Sequence, residues 1–164
     1  MTNTNKVSQK NGDRKRNSKR RYYTYKKTPK KSALQPPQEK ERVRISFLGG
    51  INEIGKNMTV YEYKNDMFIV DCGLAFPTAE LPGVDLVIPD FTYIKNCRER
   101  IRGIIITHGH EDHIGGLAYL LKQVNIPVYA TKLTIGLIKG KLEEHGLLGS
   151  VKLVEIKPRD NITL

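Results

Sequence analysis

With 164 residues, 38% of them hydrophobic and 27% charged, the chain has the size and balance of one ordinary soluble domain and excludes a large multidomain machine. Its 28 Lys and Arg against 17 Asp and Glu are unevenly spread: residues 1–40 hold 13 basic and 2 acidic side chains, and residues 41–164 hold 15 of each. The whole net charge of +11 therefore sits in the first 40 residues.

That first segment has little apolar material beyond Val7, Ala33, Leu34 and three tyrosines, so it cannot bury enough surface to offset the entropy of ordering it. A disordered basic tail is expected over residues 1–40. From Val43 the texture changes. Val43–Leu48 reads as a strand, Gly49–Asn57 as a Gly/Asn-rich turn and Met58–Tyr63 as an alternating second strand. Met67–Cys72 is an apolar run that would deliver Asp71 to the end of a buried strand, and Gly73–Asp90, with three prolines, is a long irregular loop. Phe91–Ile101 is expected to be a short helix, Gly103–Thr107 a buried strand, Gly116–Asn125 a helix and Val128–Thr131 a strand. Thr134–His145 is an amphipathic helix stopped by Gly146, Lys152–Pro158 another strand, and Asn161–Leu164 the opening of one more. Strands first and β-α-β alternation later give an α/β fold, a mixed sheet with helices packed on it.

No stretch reaches the roughly 18 apolar residues that a membrane helix requires, and the N-terminus lacks the apolar core of a secretory signal. A cytoplasmic protein without a membrane is the expectation. A transit peptide is the rival reading of the acid-poor N-terminus, but this one is Lys-dominated and shows no amphipathic period. Cys72 and Cys97 form neither a disulfide framework nor a CxxC zinc knuckle, and both are expected to be buried thiols.

The chemistry concentrates after the strand ending at Thr107, in His108-Gly109-His110-Glu111-Asp112-His113, before Gly115-Gly116 opens a helix. Imidazoles suit zinc, and the Asp112 carboxylate adds the negative charge that helps hold a divalent ion. On a strand-to-helix turn, His108 and His110 can face one ion while Asp112 and His113, in the first helical turn, face a second, so the spacing favours two metals. The bland alternative is that these histidines cap a helix and bond backbone. A ligating His usually donates its other ring N–H to a carboxylate, and Asp71 is the candidate; closing the turn with Gly73 is the other role open to it. Glu111 is read as solvated or as supporting a ligand. A two-zinc centre acidifies a water and clamps the oxygens of a displacement at phosphorus or carbonyl, so the reaction class is metal-assisted hydrolysis.

His108–His113, following an apolar strand and preceding a Gly-Gly helix start, resembles the signature of the metallo-β-lactamase superfamily. Leu48–Met58, Ile69–Pro77, Glu80–Ile94, Thr107–Thr131 and Lys141–Leu148 narrow the resemblance to bacterial β-CASP nucleases of the ribonuclease J type, over about residues 43–164. The resemblance implies that residues 41–164 are the N-terminal part of a four-layer αββα sandwich, with two Zn2+ per complete site. It also implies hydrolysis of RNA phosphodiesters, 5′-3′ exonucleolytic and endonucleolytic, in RNA maturation and decay. Position by position, His108 and His110 would ligate the first zinc and Asp112 and His113 the second, with Asp112 and His113 the candidate catalytic pair and Asp71 behind them. Gly83, through its carbonyl, and Asp85 match a loop that holds a Ca2+-like ion in some members. A homo-oligomer or a paralogue partner is implied for the full-length protein.

The family completes its site with a later histidine, a metal-bridging aspartate and a further histidine, none of which lies in these 164 residues; His145 is not expected to be a ligand. The chain therefore reads as a fragment that alone binds metal poorly and turns over little. Arg14, Lys15, Arg16, Lys19, Arg20, Arg21, Lys26 and Lys27, interleaved with Tyr22, Tyr23 and Tyr25, suit an RNA partner through phosphate neutralisation and base stacking, although any solvated basic tail binds RNA nonspecifically. Two rivals remain: a glyoxalase-II-type metallohydrolase acting on a thioester, and a non-catalytic RNA-binding subunit or remnant.

Overall fold

The computed structural model describes residues 41–164; the basic tail expected over residues 1–40 lies outside the described residues. A six-stranded mixed sheet runs in the spatial order β1 to β6. Strands β1 (Val43–Gly49), β2 (Met58–Tyr63) and β3 (Asp66–Val70) form an antiparallel meander. Strands β4 (Ile101–Ile105), β5 (Val128–Ala130) and β6 (Leu153–Glu155) then add in parallel. Parallel neighbours require crossovers, and here these are the segments carrying α1 (Thr92–Asn96), then α2 (Glu111–Ile114) with α3 (Leu117–Leu121), then α4 (Lys132–Glu144).

Alternation along the strands decides which face the helices cover. Met58 and Val60 of β2, Met67 and Ile69 of β3, Ile104 of β4 and Val128 and Ala130 of β5 are buried in one cluster with Leu117, Leu120 and Leu121 of α3 and Ile135, Ile138 and Leu142 of α4. Each of these Val, Leu, Ile and Met side chains contributes roughly 1.5–3 kcal/mol on burial. In α4 the spacing 135, 138, 142 places the buried residues on one stripe. On the opposite face Ile45 and Phe47 of β1 remain exposed, and Tyr61 stacks on Phe68 with ring centroids 5.0 Å apart. The described residues thus supply one β layer with helices on one side, an α/β arrangement.

Two expectations along the chain are corrected. The helix expected over Phe91–Ile101 ends at Asn96; a 3-10 turn at Arg98–Arg100 follows, and Ile101 is already in β4, paired with Met67. The parallel ladder claims Ile101 before the helix can. Asn161–Leu164 is not a strand: neither edge of the sheet takes it into a ladder, and Lys157 N–H instead donates to Asp160 Oδ2 at 2.8 Å in a turn. Cys97 is only partly buried, unlike Cys72.

Glu62 is 5% exposed on the covered face, where it accepts from Tyr93 Oη at 2.5 Å and Arg100 Nη2 at 3.0 Å. The bond to Glu62, with burial adding to it, raises the Tyr93 phenol above its ordinary range.

The backbone of Cys72–Leu74 packs directly on α2. A Cβ at Gly73 would overlap the Asp112 carbonyl, whereas one at Gly136, inside α4, would meet nothing within 4 Å. Gly73→Ala should therefore lower stability by about 1–3 kcal/mol through overpacking. Gly136→Ala should raise it by about 0.8–1 kcal/mol through helix propensity. Urea unfolding followed by circular dichroism would check both signs.

Candidate metal centre

The site is built where β3 and β4 end. Asp71, the residue after β3, has φ +62°, a left-handed conformation that Asp tolerates better than most side chains. Its N–H donates to Ile105 O at 3.0 Å, so the turn is locked to the neighbouring strand. Three further backbone bonds lash the motif in place: Cys72 N to His113 O at 2.8 Å, Leu74 N to Glu111 O at 3.1 Å and Gly116 N to Cys72 O at 2.9 Å. A Cβ on Gly116 would stand 2.6 Å from Gly73 O, so the second glycine of the pair is required for this approach.

The polar contacts assign the tautomers. Asp71, taken as the carboxylate, can only accept. Thr107 Oγ1 lies 2.8 Å from Asp71 Oδ2 and 3.0 Å from Oδ1, so the single hydroxyl proton of Thr107 goes to Asp71. Thr107 Oγ1 must then accept from His108 Nδ1 at 3.0 Å. His113 Nδ1 donates directly to Asp71 Oδ2 at 2.8 Å. Both rings therefore carry a proton on Nδ1. Thr107 N–H also donates to Asp71 Oδ1 at 2.8 Å, which leaves Asp71 buried and well bonded.

His108 forms the hub of the imidazoles, with ring centroids 4.0 Å from His113 and 4.8 Å from His110. Asp112 Oδ2 lies 3.3 Å from His113 Nε2. Among the described residues no three His, Cys, Asp or Glu side chains close on one point tightly enough to hold an ion unaided. The donor chemistry nonetheless fits zinc: two imidazoles tied through Nδ1, a third at His110 and a carboxylate at Asp112.

Two contributors were not singled out in the sequence. Asn57, at the end of the Gly/Asn-rich turn, places Nδ2 3.0 Å from Asp112 O, 3.2 Å from Asp112 Oδ2 and 3.3 Å from His113 Nε2. Its two protons face three acceptors, so Asp112 Oδ2 and His113 Nε2 compete for one. Thr107 is the other. No spacing signal marks Asn57, which arrives from 55 residues away; Thr107 was legible only as the end of an expected strand, and it lies two residues past the end of β4. Glu111 pairs with Lys141 Nζ at 2.6 Å, tying α2 to α4, and His145 stacks edge-on against Tyr119, so neither enters the cluster. Gly83, at φ +80°, and Asp85 are exposed in the long loop, and no hydrogen bond or ion pair of the Asp85 side chain is formed among the described residues.

Residues 51–160 match the family described as the Metallo-beta-lactamase superfamily. The chain belongs to that superfamily. It is 48% identical over 125 residues to ribonuclease J of Synechocystis sp., covering 76% of this chain and 20% of that protein. To ribonuclease J of Thermus thermophilus it is 47% identical over 140 residues, 82% of this chain and 24% of the relative. The chain thus spans a fifth to a quarter of the length of these relatives, and its resemblance to ribonuclease J extends beyond the histidine motif. Among solved structures, an Enterococcus faecalis V583 protein of unknown function superposes with a TM-score of 0.50 at 17% identity, over 76% of this chain and 35% of that one, a likeness of fold alone.

Burial, with the neighbouring Asp71 charge adding to it, pushes the Cys72 thiol far above its ordinary range. The unfolded thiol titrates near about 8.5, so from there upward the unfolded state binds fewer protons and stability falls as pH rises. Thiol labelling at pH 8 should modify Cys97 in the native protein and Cys72 only after denaturant is added; labelling of both in the native state would contradict the burial. Imidazole 15N NMR should find Nδ1 protonated in His108 and His113. Asp71→Asn, which keeps a residue tolerant of positive φ, should shift His113 toward the Nε2-protonated form.

Proposed function

We propose that this chain contributes part of the active site of a zinc-dependent ribonuclease that hydrolyses RNA phosphodiesters, acting both from the 5′ end and internally. The observation that carries the reading is the proton chain from His108 through Thr107 to Asp71 and from His113 to the same carboxylate, which ties Nδ1 of both rings and leaves Nε2 as the nitrogen of each that would serve an ion. The similarity to ribonucleases J supports RNA as the substrate. Bound zinc would supply such a centre with a water acidified to near neutrality and with positive charge for the leaving oxygen.

In this reading His108 and His110 serve one ion and Asp112 and His113 the other. Asp71 fixes two rings in the ligating tautomer, an arrangement whose loss typically costs metal sites about 10–100-fold in affinity or activity. Asn57 holds the Asp112 carboxylate against His113, and the Glu111–Lys141 pair steadies the short α2. Two protein ligands per ion are fewer than the three usual for catalytic zinc, so further ligands come from the portion of the relatives that this chain does not span. Gly83 and Asp85 are proposed only as a Ca2+-type oxygen site. The basic residues between Arg14 and Lys27 would add sequence-tolerant RNA contacts in a cytoplasmic protein that assembles with itself or with a paralogue. No described helix is long and apolar enough to cross a membrane.

The test compares residues 1–164 with the protein at the full length of its ribonuclease J relatives, measuring bound zinc and cleavage of single-stranded RNA. Residues 1–164 should bind substoichiometric zinc and cleave little. The full-length protein should cleave RNA and not a thioester, and Asp112→Ala should cost it about 100-fold or more, beyond the loss typical of a supporting residue. Stoichiometric zinc and RNA hydrolysis by residues 1–164 would overturn the need for outside ligands; undiminished cleavage by Asp112→Ala would overturn the assignment.

A further inference from the structure

At the other end of the sheet from the metal cluster, β1 begins, β2 ends and β4 begins, and a cavity of about 680 Å3 opens there. Four of its lining residues are cationic, Arg42, Arg44, Lys64 and Arg100, and Asn65 adds a neutral polar side chain. Length along β3 sets the separation from Asp71 at roughly 16 Å, at about 3.3 Å per residue.

The cations are held unequally. Arg100 is fixed: Nη2 donates to Glu62 Oε2 at 3.0 Å and to Lys64 O at 3.2 Å, and its Nε is enclosed without a partner among the described residues. Lys64 pairs with Glu41 at 2.6 Å. Arg44 is different: its side chain is 71% exposed and its approach to Glu62 is 3.8 Å, too long for a hydrogen bond. Arg42 is exposed beside it. Glu62, being buried and already engaged by Tyr93 and Arg100, neutralises the floor of the cavity more than its rim. Two exposed guanidiniums thus stand at a concave rim over a third that is fixed, and a guanidinium fork matches the paired oxygens of a phosphodiester.

Resting on the ribonuclease reading above, we propose that this cavity is a second RNA-backbone site, in which Arg42 and Arg44 contact phosphates of the strand away from the metal cluster. The polyanionic backbone suits it for a further reason: the cavity lining holds four cationic side chains against the single carboxylate of Glu62. The site positions RNA and takes no part in bond cleavage.

The experiment titrates a fluorescent single-stranded RNA with the whole chain over a range of salt, and compares the double variant R42A/R44A with K132A/K139A, an equal charge change on exposed positions of α4. For single strands each phosphate contact contributes about 0.7 to the slope of log K against log salt. R42A/R44A should lower the slope by about 1.4, R42K/R44K should restore most of it, and K132A/K139A should leave it nearly unchanged. Thermal melts of each variant check the fold, and both arginines are exposed enough to be replaced. An unchanged slope in R42A/R44A with RNA still bound by the parent chain overturns the cavity site and leaves the ribonuclease reading standing. Equal losses in both double variants also overturn it, since diffuse attraction then suffices. Absence of salt-dependent RNA binding by the parent chain overturns the cavity site, while the ribonuclease reading stands or falls on RNA cleavage by the full-length protein.

Discussion

The carboxylate of Asp71 is the contact on which the candidate site depends. It sits where β3 gives way to a left-handed turn, accepts from Thr107 and His113, and through Thr107 dictates the proton position on His108. A buried carboxylate is costly unless its oxygens are satisfied. Here they are satisfied by groups that would orient metal ligands, so the local requirement of folding and the requirement of ligand geometry coincide.

That coincidence needs the two strand ends side by side. β3 and β4 pair in parallel, with Val70 opposite Ile105, so Asp71 and Thr107 emerge at the same edge of the sheet. Open α/β sheets collect functional groups beyond the carboxyl ends of parallel strands, because crossover loops and helix starts converge there. The glycines at 73 and 116 let Cys72–Leu74 and α2 approach at backbone distance, which a side chain at either position would prevent. The antiparallel half of the sheet serves a different end: it carries Glu62, whose burial draws Arg100 and Tyr93 into a fixed array at the opposite edge.

The sheet is also asymmetric in how it is covered. Its helix-facing side is a close-packed aliphatic layer, while Ile45, Phe47 and Tyr63 on the other side keep large exposures. For an antiparallel meander that pattern is permissible, since one face can stand toward solvent, but exposed aromatic and branched side chains on a single face are the composition of a surface that meets another layer. The metallo-β-lactamase architecture to which the chain belongs is consistent with such a second sheet.

Much of this was legible in the residues. The β-branched and aromatic run from Met58 to Tyr63, bounded by the turn residues Asn57, Lys64 and Asn65, defined β2 to the residue. The histidine cluster between an apolar strand and a Gly-Gly pair marked where His108, His110, Asp112 and His113 come together in the fold. Where local signals compete, the sequence was silent or misleading: Ile101 has the apolar character of either a helix end or a strand start, and only the ladder to Met67 chose. Asn57 could not be found by spacing, because its role depends on a neighbour 55 residues away. The sequence by itself therefore determined which chemical groups are present and most of the elements that carry them. Tertiary structure decided which nitrogen of His108 and of His113 is tied by a proton and which amide reaches the cluster, because hydrogen-bond partners are set by distances across the sheet and not by order along the chain.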